Sequence, residues 1–354
     1  MPLWCWFVAG AAAVGVAQLG FVADHDGNPT ALLQVGADTP TRPVIARDFP
    51  HLWLEPTSGH DGRFNYLIAR QPAFWRADAD TLRGIDGPGY RYTRVLYPLL
   101  AGLGGTLPAA ATLAGLVLVQ VLAGGAVAAL CAAFARRHGL SAWFVVANLF
   151  NQGVYSAAVL LTCDLTAHAL ALGGWLCAEA RRFRAAAALF ALALLAKEYY
   201  ALTPLALAAA LAAAREWRAA AWVGVVPLAP ILAWKAAVYA GLGFGGGGSN
   251  FTWPGGGIRE AAAGWDAWLA CVGALGVALV GAALLAACSA RLPARLRLAC
   301  AAWGLLGLCT GWTVWGNPSD LLRVILPAWW LVAWAAFAPR PKLPTVHPSP
   351  GGSP

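Results

Sequence analysis

The chain has 354 residues, of which 60% are hydrophobic and only 11% are charged, and its formal net charge is +8. Soluble globular proteins carry about 25% charged residues, so this composition excludes a soluble globular domain and predicts a membrane protein. The positive charge is spread over short loops between apolar runs rather than gathered in one patch, which excludes a nucleic-acid partner.

Ten apolar runs predict transmembrane helices, because a helix needs about 20 apolar residues to cross the hydrocarbon core. In chain order the runs are 3–22, 109–134, 140–161, 164–179, 185–196, 201–214, 219–242, 265–290, 298–315 and 321–337. The first run also fits a signal peptide, but it lacks the basic segment that opens one. The expected fold class is an all-α polytopic membrane protein with a long outer first loop that carries juxtamembrane helices.

Basic residues predict the orientation, since loops rich in Lys and Arg stay on the cytoplasmic side. Of the 24 Lys and Arg residues, twelve lie in five clusters that all fall on one side of the ten runs. The clusters are at 136–137, 181–184, 215–218, 291–297 and 340–342. This pattern predicts a multi-pass plasma (inner) membrane protein with both termini in the cytoplasm and the loop 23–94 outside. Residues 1–338 then form a single domain, and the Pro/Gly/Ser-rich residues 339–354 form a disordered cytoplasmic tail.

The outer loop contains one carboxylate in an unusual setting, within the segment SGHDGRFNYLIARQP at 58–72. Apolar residues at 64, 67 and 68 have helical spacing, which predicts a short amphipathic helix in the membrane interface that Pro72 ends. Asp61 stands at the start of this helix. It is either a helix N-cap or a carboxylate that takes a proton from an incoming hydroxyl.

A second polar segment, YRYTRVLYP at 90–98, ends the outer loop. Arg91 and Arg94 lie at the outer boundary, against the cytoplasmic preference of basic residues. They either reach to lipid headgroups beside interfacial tyrosines, or they bind a phosphate anchored in the same leaflet, for which the planar guanidinium is suited.

Ionisable residues also occur at membrane depth, where a charge costs about 2.5–3.5 kcal/mol and therefore indicates function. Lys197 and Glu198 follow the short run 185–196, which makes about 18 Å of helix against a hydrocarbon core of about 30 Å. Asp164 stands at the outer end of its run and Arg323 one turn inside the last run. These residues predict a polar recess below the outer surface, with a buried ion network that only holds helices together as the alternative.

No cofactor is firmly implied, and a divalent metal stays open. His51, Glu55, His60 and Asp61 can be arranged as metal ligands, but their spacing does not require it. The glycine-rich segment 243–250 lacks the Gly-Lys-Ser/Thr ending of a phosphate loop, which leaves it as a flexible outer loop.

Four segments carry a resemblance to a known group of membrane enzymes: GHDGRFNYLIA at 59–69, YRYTRVLYPLLAG at 90–102, LLAKEYY at 194–200 and DLLRVILP at 320–327. With its many spans and long outer first loop, the chain resembles the GT-C superfamily, in particular uncharacterised bacterial members related to the aminoarabinose transferase and protein O-mannosyltransferases. The chain departs from the family pattern in two ways, which leave open whether a metal is required and what the acceptor is. The Asp-Ala-Asp at 78–80 lies downstream of the expected Asp-x-Asp, and no large periplasmic domain follows the last run.

The resemblance implies an inverting glycosyltransferase of the cell envelope that works at the outer face. It would move a hexosyl or pentosyl unit, as a mannosyltransferase does, from a polyprenyl-phosphate donor in the membrane lipid to a glycan, lipid or protein acceptor. Asp61 is the implied catalytic base. The implied ligands of the donor phosphate are Arg91, Arg94, Lys197 and Arg323. The implied substrate-binding residues are His60, Arg63, Tyr66, Tyr90, Asp164 and Glu198.

Two other classes of function use the same features. A transporter or flippase of a lipid-linked sugar would need a recess with access from both sides of the membrane. A non-catalytic partner in envelope assembly would need no cavity shared by Asp61, Lys197, Glu198 and Arg323.

Overall fold

The computed structural model describes residues 1–244 and 250–337, and over these residues the chain forms helices and no strands. The α-helices are α1 Leu3–Ala23, α2 Arg42–Ile45, α3 Gly62–Arg70, α4 Ala79–Gly84, α5 Pro88–Arg91, α6 Leu96–Ala101, α7 Ala109–His138, α8 Trp143–Leu149, α9 Gln152–Val159, α10 Asp164–Glu179, α11 Phe183–Ala196, α12 Leu202–Ala213, α13 Trp217–Ala220, α14 Leu228–Leu242, α15 Gly256–Ala262, α16 Ala267–Cys288, α17 Ala294–Cys309, α18 Trp312–Trp315, α19 Pro318–Val324 and α20 Leu326–Phe337. Short 3-10 turns lie at Pro29–Leu33, Phe74–Arg76, Leu103–Gly105 and Glu198–Ala201, and a π-helical turn at Ala221–Val225.

Four helical stretches within the described residues are long and apolar enough to cross a membrane. They are Leu3–Ala23, Ala109–His138, Trp217–Leu242 and Ala267–Cys288. Each coincides with a predicted run, and the third contains α13, the π-helical turn and α14. The prediction of an α-helical membrane protein is confirmed at this level.

Other predicted runs form shorter helices, and several are interrupted. The run at 164–179 folds as α10 with the same bounds, Asp164–Glu179. The run at 140–161, expected as one helix, is divided into α8 and α9. The division has a local cause, because the side chain of Asn151 accepts a hydrogen bond from the Val154 amide at 3.0 Å and so caps the start of α9.

The ends of the last two runs are interrupted as well. α17 stops at Cys309, where Thr310 turns to an extended conformation and pairs with Phe251 from the α14–α15 connection. The final run is divided between Val324 and Leu326, next to Pro327, whose backbone lacks the N–H that a continuous helix needs.

The N-terminal helix packs along α7. A Cβ on Gly10 would lie 2.5 Å from the Gly124 carbonyl oxygen, and one on Gly124 would lie 2.4 Å from a Val14 methyl, so the two backbones touch. Small residues allow this close approach between helices in membranes. The contact makes α1 a packed element of the bundle, which favours a transmembrane helix over a signal peptide.

Four of the five basic clusters meet at one end of the bundle. Glu179, at the end of α10, pairs with Arg137, His138 and Arg295 at 3.2, 2.9 and 3.2 Å. The turns at 181–184 and 215–218 are joined by an ion pair between Arg181 and Glu216 at 2.6 Å. This end is called the Glu179 end below. The fifth cluster at 340–342 and the predicted disordered tail lie outside the described residues, as does most of the predicted glycine-rich loop.

Candidate active site

The amphipathic pattern of α3 predicts a helix with one face toward lipid, but in the structure this helix is covered on all sides. Its residues from Gly62 to Ala69 are all buried, the polar positions included. The apolar side chains pack in one cluster with Leu32 and Leu33 from the first loop. The apolar face of α3 is therefore covered by protein, because the loop 23–94 folds over it, and the position of α3 in the membrane interface stays a prediction.

A cavity of about 190 Å³ opens beside the start of α3. Seven of the residues predicted for the site line it: Asp61, Tyr90, Arg91, Arg94, Lys197, Glu198 and Arg323. The side chains come from the outer loop, the α11–α12 connection and α19, which are far apart in the sequence. α10 runs from this cavity to the Glu179 end, about 24 Å at 1.5 Å per residue.

Asp61 is held between two arginines. Its carboxylate accepts a hydrogen bond from Arg91 at 2.6 Å and pairs with Arg323 at 3.0 Å. It occupies the N-cap position of α3 but makes no side-chain capping hydrogen bond, so the N-cap alternative is wrong. Burial raises the pKa of Asp61, but Arg91 and Arg323 outweigh burial and hold the pKa well below its usual range.

Arg91 is fixed from three sides. Besides Asp61, it binds Asp86 at 2.7 Å, and its guanidinium lies 4.4 Å from the centre of the Phe64 ring. The prediction that this arginine only reaches to headgroups does not fit these contacts, since the side chain turns inward to the protein.

Arg94 makes a two-pronged ion pair with Glu198. Its Nε and Nη2 atoms donate to the two carboxylate oxygens at 3.0 and 2.8 Å. Nη2 also donates to the hydroxyl of Tyr90, and the guanidinium lies 4.3 Å from the centre of that ring. The end of the outer loop is thereby tied to the α11–α12 connection, in the parallel geometry that favours arginine over lysine.

The floor of the cavity is a buried network around Asp164. Lys197 lies 3.1 Å from one carboxylate oxygen, Arg323 donates to the other at 2.8 Å, and Tyr199 donates to the first at 2.6 Å. The Asp164 side chain is 0% exposed and that of Lys197 2%. Asp164 therefore lies beneath the lining and holds two cations in place, as the buried-network alternative predicts.

The cations of the cavity are already neutralised. Arg91, Arg94, Lys197 and Arg323 each pair with at least one carboxylate. Their partners are Asp61, Asp86, Asp164, Glu198 and Asp320. An incoming anion must therefore share a cation with a carboxylate or displace one.

Four predicted substrate-binding residues are not part of the cavity lining: His60, Arg63, Tyr66 and Asp164, the last of which lies beneath it. Arg63 donates to the Ser58 carbonyl, and the Tyr66 hydroxyl donates to Asp48 at 2.6 Å. For Arg63 and Tyr66 the reason is helical geometry, since positions three and four residues after Asp61 share its face and positions 63 and 66 do not.

Sequence reasoning missed several residues of the lining. Asp320 pairs with Arg323 at 2.6 Å, one helical turn apart, which is a spacing that a search for i,i+3 pairs can find. Tyr199 was quoted with Lys197 but given no role. Asn250 donates to the Tyr90 hydroxyl at 3.3 Å from the end of the glycine-rich segment 243–250, which was assigned no residue of the site. The remaining additions to the lining are Phe251, Leu306, Thr310, Thr313, Val314 and Val324.

An apolar groove is lined by residues that neighbour cavity residues in the chain. It is lined by Val95, which follows Arg94, and by Leu195, two residues before Lys197. Trp75 and Trp234 also line it, in a volume of about 620 Å³. The cavity contains four cations among its lining residues and the groove is mostly apolar, so the two together suit a molecule with an anionic head and a long apolar tail.

No group of three or more His, Cys, Asp or Glu side chains that could hold a metal occurs in residues 1–244 and 250–337. The Asp-Ala-Asp at 78–80 has other contacts, since Asp78 caps α4 and Asp80 pairs with Arg47 at 2.7 Å.

Comparison of the chain with protein-family models, with curated proteins and with solved structures gives no match. The resemblance to the GT-C superfamily therefore rests on the residues quoted above.

Proposed function

We propose that this protein is an inverting glycosyltransferase of the GT-C type that takes a sugar from a polyprenyl-phosphate donor. The observation that carries the proposal is a single cavity in which Asp61 lies against two arginines, together with an apolar groove lined by residues that neighbour cavity residues in the chain. A donor of this class has a phosphate for the cations and a hydrocarbon tail for the groove. The acceptor is a hydroxyl of an envelope glycan, lipid or protein.

The proposed topology has ten spans in the inner membrane, with the Glu179 end in the cytoplasm and the cavity at the outer face. Its support is the grouping of basic turns at one end of α10 and of the cavity at the other. The positive-inside tendency then assigns the basic end to the cytoplasm.

The proposed reaction is a single displacement at the anomeric carbon. The acceptor oxygen forms a bond to that carbon while its proton passes to Asp61. The bond from the carbon to the phosphate oxygen breaks, and polyprenyl phosphate leaves with the electron pair. The leaving group is stable as an anion, so the chemical task of the site is to bind its charge.

The ion pairs of Asp61 bear directly on its role as base. A carboxylate whose two oxygens are taken by Arg91 and Arg323 is ionised but weakly basic. Phosphate is a strong ligand for the same guanidinium groups. Donor binding would draw these arginines to the phosphate, which frees Asp61 to accept the proton when the donor is in place.

The buried floor supports an enzyme over a transporter. Within the described residues, the cavity ends at the ion pair of Lys197 with Asp164, whose side chains are 2% and 0% exposed. The shared cavity likewise supports a catalytic protein over a scaffold.

The test is a transfer assay with purified protein, a set of polyprenyl-phosphate sugars and the variant Asp61→Asn. We expect the variant to fold and to lose transfer by about 10²–10⁴-fold, the usual contribution of a general base. Asp86→Asn is the matched control, because Asp86 also binds Arg91 but its side chain is 62% exposed. Full activity of Asp61→Asn would remove Asp61 from the role of base.

A further inference from the structure

Two turns at the Glu179 end have similar sequences, with alanine first, arginine second and fifth and an aromatic residue fourth, and they share a backbone conformation. Residues 180–184 read Ala-Arg-Arg-Phe-Arg, and residues 214–218 read Ala-Arg-Glu-Trp-Arg. The second residue of each has a positive φ, 59° at Arg181 and 63° at Arg215. In both turns the N–H of the next residue donates to the carbonyl five residues earlier, at 2.8 and 2.9 Å. The chain therefore builds the same turn twice, side by side.

Arginine is an unexpected residue for this conformation. A position that ends a helix with positive φ is usually glycine, because any Cβ is crowded there. Arg181 and Arg215 both retain a side chain in the left-handed region. The conformation sets the shape of the two turns and places both arginines at the cleft between them.

The two turns enclose a cleft of about 930 Å³. Five arginines and one glutamate line it: Arg181, Arg182, Arg184, Arg215, Arg218 and Glu216. Glu216 is taken by Arg181 at 2.6 Å. Within the described part of the chain, no carboxylate pairs with Arg182, Arg215 or Arg218. Unlike the active-site cavity, this cleft therefore contains arginines whose charge is not neutralised by a carboxylate.

Aromatic side chains complete the cleft. Trp217 is 68% exposed, and Trp222 lies in the π-helical turn with the Arg184 guanidinium 5.7 Å from its ring. Tryptophan is enriched where the hydrocarbon of a membrane meets water. Arginine and tryptophan together fit a molecule that presents a phosphate at that boundary.

We propose that this cleft binds the phosphate of an anionic phospholipid headgroup in the leaflet at the Glu179 end. The unpaired guanidinium groups are the donors for the phosphate oxygens, and basic pockets between membrane helices are known to favour such headgroups. The site lies at the opposite end of α10 from the active-site cavity. It is independent of the proposed glycosyl transfer.

The test measures lipid binding to the detergent-purified full chain by native mass spectrometry, with phosphatidylglycerol and phosphatidylcholine as probes. The variant Arg182→Gln/Arg218→Gln is compared with the control Arg136→Gln/Arg291→Gln, whose arginines are exposed on other turns of the basic clusters. Both variants lose two positive charges. We expect phosphatidylglycerol to bind the cleft variant about 30-fold more weakly, at ~1 kcal/mol for each arginine. The control variant should bind as the native chain does.

Two results would overturn the proposal. One is equal loss of binding in the cleft variant and the control, which would assign the effect to general positive charge. The other is displacement of the lipid by millimolar inorganic phosphate, which would assign the cleft to a soluble anion. Arg215→Gly supplies a second variant that relieves the backbone and removes one donor, so reduced phosphatidylglycerol binding by a well-folded protein is expected there too.

Discussion

Asp164 has no exposed surface, and its carboxylate meets Lys197, Arg323 and Tyr199. In Asp164→Asn the neutral amide leaves two buried cations without their shared partner. Breaking a buried ion pair from one side costs about 3–5 kcal/mol, so we expect the free energy of unfolding to fall by that amount. Denaturant unfolding in detergent measures it, with the exposed Asp86→Asn as the control at less than about 1 kcal/mol. Equal stability of the two variants would show that Asp164 is not the centre of the floor.

Arg91→Gln tests the electrostatics of Asp61. Arg91 lowers the pKa of Asp61 and burial raises it. When Arg91 is removed, the effect of burial is opposed less strongly, so the pKa of Asp61 rises. A carboxylate base works only above its pKa, so activity is lost as pH falls through that value. In the native protein this loss lies below the ordinary aspartate pKa of about 3.9.

In Arg91→Gln the acidic limb of kcat/KM should therefore move to higher pH. The pH profile of the transfer reaction measures this shift, and Arg83→Gln, whose arginine binds the distant Asp80, is the control. An acidic limb that stays in place would contradict the assignment of Asp61 as base.

The charged residues of the site could be predicted from the sequence because membrane depth makes an isolated charge expensive. Because of this cost, Asp164, Lys197 and Arg323 are expected to form ion pairs with one another, although they are far apart in the chain. Neighbours of Asp61 could not be assigned in the same way. Arg63 and Tyr66 are near it in sequence, but the turn of α3 directs them elsewhere.

At the scale of whole helices, hydropathy finds the uninterrupted elements and overlooks the breaks. α10 has the predicted bounds because it is mostly apolar between charged residues at its two ends, Asp164 and Glu179. The break before α9 depends on one hydrogen bond, accepted by the side chain of Asn151. A hydropathy average over the apolar run does not reveal it. The early end of α17 depends on pairing of Thr310 with Phe251, a distant segment that no local pattern reveals.

The contact of α1 with α7 can be tested with two glycines of one helix. In Gly10→Ala the new methyl meets the Gly124 carbonyl oxygen at 2.5 Å, whereas in Gly20→Ala nothing lies within 4 Å. Both changes gain the same helix propensity, so their difference isolates packing. We expect Gly10→Ala to be less stable than Gly20→Ala by about 1–3 kcal/mol, measured by thermal unfolding in detergent. Equal stability would mean that α1 does not rest on α7.

The orientation of the whole molecule can be tested by labelling single cysteines from one side of the membrane. The eight native cysteines are free thiols and are replaced first. Ser58 lies in the outer loop and Ser141 between α7 and α8 near the Glu179 end, and both are exposed. We expect an impermeant maleimide to label Ser58→Cys on intact spheroplasts, and Ser141→Cys only after lysis. The reverse pattern would place the cavity in the cytoplasm and end the proposal of an outer-face enzyme.

α10 is fastened at both extremities, by Asp164 to Lys197 and Arg323 and by Glu179 to three basic side chains. We therefore expect α10 not to slide along its axis, since sliding would break the buried ion pairs of Asp164 and the ion pairs of Glu179 at the same time. Any rearrangement of the cavity lining would then fall to other elements, such as Asn250 and Phe251, whose segment is held to Thr310 and Gly311 by backbone pairing.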